Sequence, residues 1–178
     1  GDIVKTENDP RPESQLPSAN VRFISPGYFR TLHIPVRAGR DFQPSDHNRQ
    51  VAIISQGLAR KLWPNADPVG RKLIDWPFNV GNVHQVVGVV GDARSTSLDT
   101  NPPDMLYIPL WQRASRSSSI LVRTAMDPKT IAAALRSAVW SADAEVPVPE
   151  QRTLEQILSR SLARRRGDKI VRPSTKAG

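Results

Sequence analysis

The chain of 178 residues contains no cysteine, so disulfides and thiolate metal sites are excluded. That absence fits an oxidising compartment without requiring one. Histidine is nearly as scarce: His33, His47 and His84 are spread along the chain, and none lies at ligand spacing from another histidine or a carboxylate on an expected helix. With neither an HExxH nor a Cys/His pattern, no metal site is expected. Long apolar runs are also missing, the stretch 86–91 being far short of the about 18 residues that cross a bilayer. Nor does the chain open with a basic-then-apolar leader, so it begins as a fragment or processed product would and gives no targeting signal.

Catalytic signatures are absent in the same way. No serine sits in a GxSxG elbow, and the 17 acidic residues are scattered through turns and caps without a facing pair. Gly88-Val89-Val90-Gly91-Asp92 has the glycines of a phosphate loop, but no helical period follows, so it is read as a strand ending in a turn. Asp41, Asp46 and His47 form a local cluster that a turn rich in capping residues explains. No catalytic, cofactor-binding or metal-ligating residue is assigned.

What the chain does have is charge, proline and short apolar segments. The net charge is +8, yet residues 151–178 hold eight lysines and arginines against Glu155 and Asp168, so a basic tail and not a basic groove raises the isoelectric point. Arg160, Arg164, Arg165 and Arg166 are compatible with a nucleic-acid arm, a membrane-surface anchor or the flank of an apolar segment. The 16 prolines predict short elements joined by turns. Residues 1–20 read as an extended or disordered lead-in, and strands are expected at 21–24, 51–54, 69–74, 83–90, 105–110, 119–124 and 146–148.

Four helices are expected. Ser25 caps the first, with Pro26 at its first position and Tyr28, Phe29 and Leu32 on one face. Ser55 caps the second, with Leu58, Leu62 and Trp63 on one stripe, ended by Pro64. A third runs over about 128–141 with Ile131, Ala132, Leu135, Ala138 and Val139 inward, and a fourth opens at Thr153 and Glu155. Trp63 and Trp140 close amphipathic helices and are assigned to the core. The sum is an α+β chain of two lobes, one β-rich and one a βαβ unit built on 119–148.

Ser25-Pro26-Gly27-Tyr28-Phe29-Arg30-Thr31-Leu32, Gly39-Arg40-Asp41-Phe42, Val51-Ala52-Ile53-Ile54-Ser55, Trp63-Pro64, Asp67-Pro68-Val69-Gly70-Arg71, Val86 through Arg94, Tyr107-Ile108-Pro109-Leu110 and Arg152-Thr153-Leu154 follow one another in an order that resembles the MacB-like periplasmic core domain of FtsX-type ABC transporter permeases. The wording is most similar to the duplicated permeases of acidobacteria. The resemblance implies a core domain over 21–163, with an inserted β-rich lobe at about 35–115, an incomplete porter-like βαβ part at about 118–150, and a basic polar tail at 164–178. It also implies a non-catalytic domain on the periplasmic side of the inner membrane, without cofactor. Its partners would be the transmembrane part of the permease, a cytoplasmic ATPase subunit, a second permease copy and periplasmic adaptor or substrate proteins. It would relay ATP-driven movement outward in efflux or export. The alternative is a nucleic-acid-binding module using the C-terminal basic run, although no nucleic acid is expected as partner.

Overall fold

A strand that is apolar on both faces must be covered twice, and Val51-Ala52-Ile53-Ile54 is such a strand. The structure, a computed structural model, describes residues 1–76, 82–93, 102–113, 119–149, 151–157 and 159. It divides into two compact units, Gly1–Arg123 and Thr124–Gly178. In the first, β1 (Asp2–Thr6), β2 (Ser18–Ile24), β3 (Val36–Gly39), β4 (Val51–Ser55), β5 (Lys72–Trp76), β6 (Val83–Val90) and β7 (Met105–Pro109) form one sheet in the order β3-β6-β4-β7-β2-β1-β5. Since β5 also pairs with β6, six strands close into a barrel-like ring and β3 joins it from outside. The pairs β2–β7 and β4–β6 are parallel, and the other pairs are antiparallel.

Alternation along the strands separates two cores. Ala52 and Ile54 of β4 join Val4, Leu73, Val86, Leu106 and Ile108, residues from all round the ring, and Leu58 and Leu62 of helix α2 (Gln56–Leu62) cover this interior set. Val51 and Ile53 face outward into a second core with Phe29, Phe42, Val87, Val90 and Tyr107. On β6 the same alternation jumps: Val86 and Val89 share the first core, Val87 and Val90 the second. The extra residue is a bulge, seen as a register shift against β4 between Ala52 and Ile53.

At this bulge β6 exchanges β5 for β3 as its neighbour. The crossing backbones are so close that a Cβ on Gly39 would strike the Val87 carbonyl oxygen, and one on Gly88 that of Arg40. Gly39 also has φ of 67°, a conformation that costs other residues strain.

The second unit contains helix α3 (Pro128–Ala142), whose first turn is held by the Asp127 carbonyl accepting from the amides of Thr130 and Ile131. Thr153 and Gln156 exchange hydrogen bonds, Oγ1 accepting from the Gln156 amide and Oε1 from the Thr153 amide, at the start of a further helical turn.

Of the two alternatives for residues 1–20, extended or disordered, the structure has extended chain: β1 lies within them and β2 begins at Ser18, a single inward residue, Val4, sufficing to seat a strand in a ring. Two expectations are corrected. No strand forms at 119–124 or 146–148, where Ile120, Leu121, Val122 and Val146 are exposed; a strand needs a ladder partner, and among the described residues none pairs with either segment. The expected βαβ unit is therefore reduced to its helix. Trp140 is half exposed and donates its Nε1–H to the Val146 carbonyl at 3.2 Å, so it is not a core residue, whereas Trp63 packs against the barrel interior. Most of the break between the strands expected at 69–74 and 83–90 lies outside the described residues, as do the basic residues Arg160 to Arg166.

Alanine at Gly88 is expected to cost roughly 1–3 kcal/mol by overpacking against backbone. Gly39→Ala costs more, since the left-handed conformation adds to the clash. Urea unfolding midpoints should rank wild type, Gly88→Ala, Gly39→Ala in falling order; equal midpoints would contradict the tight crossing.

Candidate functional site

The 25–42 run and its continuation to Arg49 form a strap over the outer face of β4, β6 and β7. It opens with a turn and not with a serine cap: Tyr28 N–H bonds to the Ser25 carbonyl at 3.3 Å, and Gly27 stands at φ 85°, the left-handed third position that a Pro-Gly turn requires. Helix α1 (Tyr28–Thr31) has no side-chain cap; the residue that precedes it, Gly27, is tied to the far part of the strap, Asp41 Oδ2 accepting from its amide at 3.1 Å. Ser25 is thus corrected as a cap, while Ser55 is one, its Oγ accepting from Leu58 N–H and also from Met105 N–H, which ties α2 to β7.

The strap is anchored by aromatic rings. Phe29 is buried edge-on against Tyr107 of β7, with centroids 4.9 Å apart and planes at 86°, and against Tyr28 at 5.6 Å. Such pairs contribute about 0.5–1.5 kcal/mol beyond area burial. Farther along, Trp111 meets Phe42 at 6.3 Å and stacks on His47 at 5.6 Å, so His47 serves a packing role.

Ion pairing fixes the strap's far end. Arg40 grips the fully buried Asp46 with two bonds of 2.6 and 2.7 Å, and Gln43 N–H donates to the same carboxylate. These bonds, the Arg40 guanidinium first, hold the Asp46 carboxyl below the usual carboxylate range despite burial. Burial, aided by the nearby Tyr28, pushes the Tyr107 hydroxyl up to about 12. Chain exit from the first unit is tethered to the same strap, Arg123 Nε donating to the Thr31 carbonyl at 2.6 Å.

Among the described residues no reactive constellation accompanies this bracing. Asp41, Asp46 and Asp92 are occupied by backbone amides or arginine, and Asp104 by Lys61. Asp92 receives the Gly57 amide, so the Gly88–Asp92 segment ends a strand and braces α2 in place of cradling a phosphate. Among the described residues no three His, Asp or Glu side chains converge as metal ligands. His33 ends α1 at φ 55°. Sequence reasoning missed one polar pair: His84 Nε2 lies 3.3 Å from Asp75 Oδ1 on the interior face of β5 and β6, both side chains almost fully buried and not aligned as a hydrogen bond. Its signal was a polar residue at an inward position of each strand.

Asp46→Asn should lower stability at pH 7 by roughly 2 kcal/mol, the scale of hydrogen bonds to a charged group. A carboxyl held low stabilises the fold above its unfolded value and loses that contribution as pH falls, so the gap between variant and wild type should narrow below about pH 4. A constant gap in urea titrations from pH 7 to 3 would refute the assignment. Tyr107 behaves oppositely: its raised value leaves stability intact below about pH 10 and removes it between about 10 and 12. Tyr107→Phe should therefore flatten the alkaline loss of thermal stability and delete the last phenolate step in absorbance at high pH.

A family model for the MacB-like periplasmic core domain matches residues 4–140. The fold is similar to the periplasmic region of MacB from Actinobacillus actinomycetemcomitans, with 16% identity, a TM-score of 0.59, and coverage of 99% of this chain and 73% of that one. It is also similar to the extracellular domain of the ABC-type transporter YknZ from Gram-positive bacteria, at 21% identity and a TM-score of 0.44 over 61% of this chain. The chain spans about half the length of that domain, 49% of it. No curated protein matches it. With the motif order and the barrel-like sheet on one side and the family match over most of the chain on the other, this chain belongs to the MacB-like periplasmic core domains, the non-catalytic, extracytoplasmic domains of ABC transporter permeases.

Proposed function

We propose that the chain is a mechanical relay of its permease, carrying movement driven by a cytoplasmic ATPase from the transmembrane helices to substrate or adaptor proteins outside the membrane, in efflux or export. The observation that supports this reading is the bracing of the strap. Tyr28 and Phe29 seat on Tyr107 of the barrel wall and the Arg40 amide donates to the Val87 carbonyl of β6, while the bidentate Arg40–Asp46 pair ties the segment to itself and Arg123 ties it to the chain beyond, so that its carboxylates are spent on rigidity. A body that transmits displacement must deform less than it moves, and dense cross-bracing supplies that property. The permease would act as a dimer, with α3 and its surroundings forming part of a porter-like lobe. The motif wording supports the acidobacterial duplicated permeases as the subgroup.

The absence of cysteine permits a direct test, since introduced thiols are the sole labelling sites in this chain. In the permease assembled with its ATPase, spin labels at Arg37 and Arg60 are expected to keep a fixed separation through the ATP cycle. A label at Arg37 and one in the transmembrane part should change theirs. A barrel distance that changes with nucleotide, or ATP turnover by the purified chain that one substitution abolishes, would defeat the relay. Salt-dependent DNA affinity that survives deletion of residues 164–178 would favour the nucleic-acid reading.

A further inference from the structure

The ring is not closed along its whole height. β1 pairs with β2 only through Asp2↔Ala19 and Ile3↔Ser18, while β2 continues to Ile24 along β7. Over residues 20–24 the side of β2 away from β7 therefore has no strand partner among the described residues. The bond from Asn20 N–H to the Asp104 carbonyl shows that even-numbered residues of this stretch face β7. By the alternation of a strand, the amides and carbonyls of Val21 and Phe23 face the open side. Their side chains are half-buried against the barrel interior, so the gap borders a core and not bulk surface.

We propose that this edge is a strand-addition site, and that its occupant is the polypeptide leading into Gly1 in the permease. Register carries the argument. The β1–β2 ladder is antiparallel, and the bond from Val4 N–H to the Pro17 carbonyl lies on the same diagonal as its two residue pairs. Gly1 is already against β2, since a Cβ on it would lie 2.9 Å from the Ala19 carbonyl oxygen and 3.3 Å from Asn20 Oδ1. Extending that diagonal puts the residue before Gly1 opposite Val21 and the third before it opposite Phe23. No turn or change of direction is needed. The solved MacB periplasmic region is longer than this chain, which covers 73% of it. A strand added here would complete the wall with inward side chains meeting Val21 and Phe23, and would splice the barrel's hydrogen bonds to the incoming chain.

Hydrogen exchange at the Val21 and Phe23 amides tests this in three samples: the 178-residue chain, the same chain with Val-Thr-Val-Thr-Val placed before Gly1, and the parent permease. Both amides should exchange at least about tenfold more slowly in the extended chain and in the permease than in the chain itself. A matched extension with proline at the positions opposite Val21 and Phe23 should give no protection. Fast exchange in the permease overturns the proposal, because the natural segment then runs elsewhere, and so does equal exchange with and without the Thr/Val extension. Protection of the unextended chain that disappears on dilution would assign the edge to a second copy instead, and would also overturn it.

Discussion

Everything in the first unit depends on the complete burial of β4. A strand with Val51, Ala52, Ile53, Ile54 and Ser55 all inaccessible cannot lie at the surface of a single layer, so the chain must supply a cover on each side. Closure of the sheet into a ring supplies one and the strap supplies the other. Ser55 then uses its only side-chain oxygen to join the end of β4 to both α2 and β7, so the strand that separates the cores also fixes the elements around it.

The bulge at Gly88 follows from the same constraint. β6 must pair with β4 along its length while presenting valines to both cores, and its other side is too long for β5 alone. Inserting one residue where β3 replaces β5 satisfies both demands, provided that the crossing backbones carry no Cβ. Two glycines far apart in sequence, Gly39 and Gly88, are thereby a matched pair, although neither reads as one without the other.

The apolar strands at 51–54, 83–90 and 105–110 were legible because they are dense enough in β-branched and aliphatic residues to declare themselves, and α3 because of its period. β1 and β3 were not legible. Val4 is the one fully buried residue of β1, and β3 is settled by pairing with β6, so local composition says little about either. The reverse error at 119–124 has the same origin: Ile120, Leu121 and Val122 have strand propensity, but propensity becomes a strand only beside another one. For the strap, the sequence order of turn, aromatic pair and charged turn was visible, while the tie from Asp41 to the Gly27 amide was not, because that hydrogen bond spans the whole of β3.

The two parallel pairings give the barrel a mechanical direction. β2 lies along β7, and β4 along β6, through five residue pairs each. A pull applied along such strands loads the rungs in shear, so they share the tension and must fail together, whereas a pull across a hairpin opens its rungs one after another. The wall that bears the strap is thus stiff lengthwise and weak crosswise, as a grain is in wood.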